Sequence, residues 1–215
     1  MRTSRSLRIG ILLKTLGIGS QLAVLLCVNG CVSQPAVPQD YFYRLPAVYP
    51  AAPLKTKLIN GTVAVDQLEA DGVYRERPLL YVDAQRPLEV LQYNYRHWIQ
   101  TPSQLIQDNM VDYLREANLA DKIERRSSGR RPELLIQGRL QKFERLVEEK
   151  GATAVVEMEI EFRKTSPQGM VKLTKVYTSQ GSAQGPSIHQ TVAAFGEALQ
   201  RIYDKILSDL ASMSE

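Results

Sequence analysis

Few side chains in this 215-residue chain have the type and spacing for covalent or acid–base chemistry. His97 and His189 are the only histidines, hence the only side chains whose ordinary pKa suits a base working near neutral pH. Ser187 lies two residues from His189, but a helix turns residues at that spacing to different faces, so the two make no nucleophile–base pair. Ser187 reads as a helix cap and His189 as a solvated first-turn residue. There is no Gly-x-Ser-x-Gly turn and no Walker-type phosphate loop. Asp66, Glu69 and Asp71 cluster in sequence without a calcium-loop pattern, so they read as a solvated strand-end loop. The expectation is a non-enzymatic chain with no cofactor and no metal.

What remains is thiol chemistry at Cys27 and Cys31. Arg2, Arg5, Arg8 and Lys14 stand upstream with no acidic residue, and an apolar stretch runs from Leu16 to Val28. These are the charged and apolar regions of an export signal. Leu25-Leu26-Cys27-Val28-Asn29-Gly30-Cys31 then resembles a bacterial lipobox, with small Gly30 leaving a peptidase room before Cys31. That resemblance implies cleavage between Gly30 and Cys31 and a Cys31 thiol joined to diacylglycerol. Cys27 is the weaker acceptor because Leu26 precedes it. The competing reading is an uncleaved anchor over Ile9–Val28, a span close to the ~20 residues a bilayer requires. Lys14, Gln21 and three glycines interrupt that span.

Processing would change the electrostatics. Four of the 27 basic residues and none of the 23 acidic ones lie in residues 1–30, so the remainder is formally neutral. The whole-chain isoelectric point of about 9.0 therefore comes mostly from the signal, and nucleic acid is not an expected partner. With Cys27 removed and Cys31 acylated, no disulfide is available. Residues 31–39, with Pro35 and Pro38, read as a tether, and residues 40–215 as one domain large enough for its own core.

The elements that would position these residues follow from periodicity. Tyr41-Phe42-Tyr43-Arg44-Leu45 reads as an aromatic strand stopped by Pro46. Further strands are expected at 61–68, 78–83 and 88–99. Thr101-Pro102-Ser103-Gln104 is a capping box with proline at the first helical position, followed by Leu105, Ile106, Met110, Tyr113, Leu114 and Ala117 at helical spacing. Arg125–Arg131 reads as a solvated basic loop, with contact to acidic headgroups or a partner as the alternative. Leu134 to Gln141 alternates as a half-buried strand, and Ala154, Val156, Met158, Ile160 and Phe162 alternate cleanly with polar partners. A strand over 171–179 should pair with the latter through the turn Ser166-Pro167-Gln168-Gly169. Gly181 to Gly185 reads as a flexible link. Ser187 and Gln190 open a helix carrying Ile188, Val192, Phe195, Leu199, Ile202, Ile206 and Leu210 on one side. The expected architecture is α+β, a two-layer sandwich of a largely antiparallel sheet with both helices on one face, in the order βββαβββα.

With these segments placed, the chain resembles the ABC-type transport auxiliary lipoproteins, the family of the paraquat-inducible lipoprotein that accompanies MCE-domain lipid transporters. The resemblance rests on Tyr41-Phe42-Tyr43-Arg44-Leu45, Gly61-Thr62-Val63-Ala64-Val65, Arg75-Glu76-Arg77-Pro78-Leu79-Leu80-Tyr81 and Tyr93-Asn94-Tyr95-Arg96-His97-Trp98, in that order after a lipobox. One departure stands out. Where the family carries a Trp-Ala-Glu-Pro-like run, Trp98 is followed by Ile99-Gln100-Thr101-Pro102, so no role of that acid transfers.

The resemblance implies an outer-membrane lipoprotein facing the periplasm, held by its N-terminal lipid. Its partner would be an MCE-domain protein and, through it, an ABC permease and ATPase; self-association is left open. Val32 after the modified cysteine agrees with outer-membrane sorting, since the common retention signal is an aspartate there. Tyr93, Tyr95 and Trp98 are the candidate contact residues, with core packing the alternative for each. A second function class is a lipid carrier with an acyl cavity between helices and sheet.

Overall fold

A computed structural model describes residues 37–127, 129, 131–166 and 169–213. The chain divides after Pro38, and the architecture below belongs to the unit from Gln39 onward. The export signal with Cys27, Gly30 and Cys31 lies outside the described residues. Among the described residues no helix is long and apolar enough to cross a membrane.

The alternation at Ala154–Phe162 forms the middle of β8 (Gly151–Ser166), and its five apolar side chains are fully buried. On one edge β8 pairs antiparallel with β9 (Gly169–Ala183), the register placing Ser166 opposite Gly169 across Pro167 and Gln168, which lie outside the described residues. On its other edge it pairs along its whole length with β7 (Leu134–Glu148). A register shift between Leu140 and Lys142 puts one extra residue, Gln141, into β7. Because side chains alternate with a period of two, that single insertion returns Phe143 to the buried face that Leu140 occupies.

The free edge of β7 takes three short strands one after another, all parallel to it. β2 (Ile59–Val65) pairs at Leu134–Ile136, β3 (Glu69–Ala70) at Arg139–Leu140, and β4 (Pro78–Asp83) at Glu144–Val147. A four-residue 3-10 turn, Gly72–Arg75, separates β3 from β4. Beyond β4 come β5 (Val90–Trp98), antiparallel, and β1 (Tyr41–Tyr43), parallel to β5. Beyond β2 comes β6 (Ala120–Arg125), also parallel. The strand order is β1-β5-β4-β7-β2-β6, with the β7–β8–β9 hairpins attached through β7.

The class is α+β, and the sheet departs from expectation in two ways. Of the eight strand pairings among the described residues, five are parallel, because β2, β3 and β4 meet β7 only after the chain has crossed back through a helix and β6. The order is also richer than βββαβββα. β6 lies where periodicity gives no strand, and β9 runs through Gly181 to Ala183, where the sequence reads as a flexible link. Gly181 is there because a Cβ would sit 2.0 Å from the Ala194 carbonyl oxygen, so the last helix lies directly on the strand at this point.

Both helices start where their capping boxes place them. In α1 (Pro102–Glu116) Gln104 Oε1 accepts from Thr101 Oγ1 at 3.0 Å, and in α2 (Ile188–Ser212) Ser187 Oγ accepts from the Gln190 amide at 3.2 Å. Their apolar sides enter one core cluster with Val156, Met158, Ile160, Phe162, Phe143 and Trp98. Tyrosine hydroxyls tie these elements together: Tyr113 donates to Asp204 and Tyr203 to the Ile106 carbonyl at 3.3 Å between the two helices, and Tyr177 on β9 donates to Asp209 of α2 at 2.6 Å. Tyr74 donates to Glu144 of β7.

Burial first, and the adjoining carboxylate second, pushes the pKa of Tyr74, Tyr113 and Tyr177 well above the ordinary tyrosine value; burial alone does so for Tyr203. A raised folded-state pKa gives stability that is complete below the unfolded value of about 10 and is lost as pH climbs above it. Phenolate absorbance should therefore show these four tyrosines ionising only with unfolding, and urea midpoints should fall steeply between about pH 10 and pH 12. Smooth ionisation of every tyrosine near pH 10 in a still-folded chain would contradict this.

Candidate functional site

The three candidate contact residues sit on one strand but in three environments. Between Pro78↔His97 and Leu80↔Gln92, β4 advances two residues while β5 advances five, so the Tyr93–Arg96 stretch swings out of the β4 ladder. β1 pairs with the displaced segment, Tyr41 opposite Arg96 and Tyr43 opposite Trp98.

Trp98 is core. Its side chain is 1% exposed, lies 5.2 Å from the Phe143 ring and 5.4 Å from the Phe195 ring, and its amide donates to the Arg77 carbonyl at 2.7 Å. It is therefore no partner contact. The alternation of β5 is broken by the bulge, which turns Trp98 inward where an aromatic run alone would leave either face open.

Tyr93 is half-buried and internally engaged. Its ring lies 4.5 Å from Tyr81, and its hydroxyl accepts from Arg145 Nη1 at 2.6 Å. Arg145 also donates to the Pro186 carbonyl at 2.6 Å, just before α2, while its buried Nε has no partner. This guanidinium sits 7% exposed without an ion-pair partner among the described residues. Sequence reasoning missed it, since a single arginine in an alternating strand gives no sign that it faces inward.

Tyr95 is exposed at 45%, and it has company that the sequence reading assigned only to a strand: Tyr41 is 45% and Phe42 55% exposed. Arg96 lies 3.9 Å from the Tyr41 ring centre and Arg77 5.3 Å from that of Phe42. Phe42 also contacts the His97 ring at 5.6 Å. Exposed aromatics capped by guanidinium groups, on an edge strand that pairs only with β5, make an adhesive surface.

The other candidates occupy structural positions. His97 Nε2 lies 3.3 Å from Asp40 Oδ1 on this same edge. Ser187 caps α2, and His189 is exposed. Asp66 faces Arg126 at 3.8 Å, while Glu69 and Asp71 face Arg139 at 3.6 and 3.0 Å. Among the described residues no group of three His, Cys, Asp or Glu side chains converges as a metal would need. Arg125, expected in a loop, lies on β6 and pairs with Asp108 of α1 at 2.6 Å; Ser128 and Arg130 of the expected basic loop lie outside the described residues.

Comparison with known proteins places the fold and no more. No family model matches the chain, and no curated protein matches it. Among solved structures it is similar to XCC0632 from Xanthomonas campestris, a protein of family DUF330. The TM-score is 0.66 at 15% identity, over 78% of this chain and 92% of that one. It is also similar to an uncharacterised protein, with a TM-score of 0.58 at 10% identity over 83% of this chain and all of the other. At these identities the likeness is one of architecture.

The environments predict divergent substitutions. Trp98→Ala should cost about 3–5 kcal/mol by leaving a cavity against Phe143 and Phe195. Tyr95→Ala should change stability by less than about 0.5 kcal/mol. Chemical denaturation of both variants checks this, and equal costs would mean that Tyr95 is not free surface.

Proposed function

We propose that this chain is a non-enzymatic auxiliary lipoprotein of an envelope ABC/MCE-type lipid-transport system. It is anchored through Cys31 in the outer membrane and binds the periplasmic MCE component. The observation that carries the docking half is the exposed aromatic and arginine edge of β1 and β5: Tyr41, Phe42, Tyr95, Arg77 and Arg96. Aromatic residues and arginine are the types that dominate interface energies. The edge opens directly after the proline-bearing segment that would lead to the lipid. Trp98, once a candidate, supports the edge from below.

The lipid-carrier alternative in its acyl-cavity form needs room between the helices and the sheet. That layer is occupied by Trp98, Phe143 and Phe195, whose rings lie 4.3–5.4 Å apart. Docking is therefore the better-supported reading.

Two experiments test the two halves. Metabolic labelling with palmitate should be lost in Cys31→Ala and kept in Cys27→Ala; the reverse pattern would sink the anchoring claim. For docking, a photo-crosslinking amino acid at position 42 or 95 of the full-length lipoprotein, in cells, should trap an MCE-domain protein. Tyr95→Ala combined with Phe42→Ala should weaken association by roughly tenfold or more, as truncation of two interface aromatics does. Crosslinks to other surfaces only, with the outer-membrane barrier intact in the double variant, would overturn it.

A further inference from the structure

At the opposite side of the strand order from β1, the segment that follows β6, the start of β7, the end of β8 and the start of β9 line a cleft of about 700 Å³. Among the described residues its walls carry three guanidinium groups, Arg126, Arg131 and Arg163, and no carboxylate. Its floor is apolar: Leu135, Pro132 and Met170. The backbone fixes this arrangement. Leu135 lies directly opposite Arg163 in the β7–β8 ladder, Thr165 lies opposite Met170 in the β8–β9 ladder, and the Thr165 amide donates to the Glu133 carbonyl at 2.8 Å.

The charge is concentrated. Arg131 has no ion-pair partner among the described residues, and Arg126 reaches Asp66 only at 3.8 Å. Arg163 touches Glu161, but Glu161 also receives Lys172 at 2.6 Å, so one carboxylate is shared by two cations. The cleft is thus cationic in a domain whose residues 31–215 are formally neutral. The apolar side is concentrated too. Met170, opposite Thr165 on the same sheet face, is 58% exposed at the cleft.

We propose that this cleft binds an anionic amphiphile through a phosphate ester. The phosphate oxygens would be held by Arg126, Arg131 and Arg163, and the first carbons of the apolar stem would lie over Leu135, Pro132 and Met170. Planar guanidinium forks match phosphate oxygens with paired charge-assisted hydrogen bonds, and three around one site exceed what a single surface carboxylate would require. The volume is that of a small-ligand site, enough for a headgroup and a few methylenes but not for a whole acyl chain. A lipid headgroup and a soluble phosphate ester share this recognition chemistry; the exposed Met170 favours the former. The inference does not rest on docking to an MCE protein, because it uses none of the β1–β5 residues.

The test uses the full chain held in phosphatidylcholine nanodiscs and titrated calorimetrically with two probes, dihexanoyl phosphatidate and inorganic phosphate, against empty nanodiscs. Phosphatidate should bind at least tenfold more tightly than phosphate, and its affinity should fall with added salt. Arg131→Gln and, separately, Arg126→Gln should weaken both probes by about tenfold, while Met170→Ser should weaken phosphatidate alone. All three side chains are surface groups, and an unchanged thermal midpoint confirms that each variant is folded. Equal affinity for the two probes, insensitive to Met170→Ser, would identify a site for free phosphate and overturn the amphiphile. Binding that ignores both arginine substitutions, or no binding of either probe, would overturn the site.

Discussion

The fold depends on the two hydrogen-bonding edges of β7. Fourteen of its fifteen residues, all but the bulged Gln141, pair with β8 on one side, and on the other side it takes β2, β3 and β4 in succession. Of those three, β3, a two-residue strand, is too short to hold a register alone. Their positions are set by where β7 offers free backbone groups. Gly138 permits the closest approach, since a Cβ there would lie 1.9 Å from the Glu159 carbonyl of β8. Three residues later, Gln141 inserts the bulge. Before it, Leu134, Ile136 and Leu140 face the core; after it, Phe143 does, and Lys142 turns outward to meet Glu157 at 3.3 Å. Had the alternation run on regularly through Gln141 with no bulge, Lys142 would point into the aromatic cluster.

The same phase change places Arg145 two residues past Phe143, on the inward side. A buried guanidinium is costly unless every donor is met, and here Tyr93 and the Pro186 carbonyl meet two of them while Nε goes unmet. The arginine thereby joins three separate parts of the chain: β5, β7 and the segment entering α2. The helices are held from their outer side as well. Residues 46–58 cross them as a strap, with the Leu54 amide donating to the Ala117 carbonyl at 2.9 Å and the Leu58 amide to that of Leu119 at 3.0 Å. Asn109 Nδ2 and Gln200 Nε2 donate to the carbonyls of Pro46 and Tyr49. Pro46 fills the space that a side chain at Gly196 would need.

Where structure is local, the sequence was legible. Both capping boxes, both helical stripes and the β8 alternation fall where period and cap chemistry put them, because each is decided within a few residues. What escaped is non-local. β6 buries Ala120 and Ile123, three apart, a spacing that signals no strand; it is one because β2 offers an edge. The later half of β7 was hidden by Gln141, which breaks the alternation at the point where structure needs it broken. The environments of Tyr93, Tyr95 and Trp98 differ because of the β5 bulge, and three aromatics spaced two and three apart carry no mark of that.

Charge was misleading for the same reason. Counted along residues 31–215 the domain is neutral, which reads as indifference to anions. In space, the carboxylates are used up locally: Asp108 on Arg125, Asp66, Glu69 and Asp71 on Arg126 and Arg139, and Asp209 on Lys175. Arg77 and Arg96 lie over the aromatic rings of the β1–β5 edge, and Arg126, reached by Asp66 only at 3.8 Å, joins Arg131 and Arg163 around the Leu135 floor. Net charge governs behaviour at distances beyond about 8–10 Å, where salt screens it anyway, whereas recognition is set by which charges remain unpaired at contact range. A formally neutral body thus presents two arginine-bearing apolar surfaces at opposite sides of its strand order, which a sum of charges along the chain does not show.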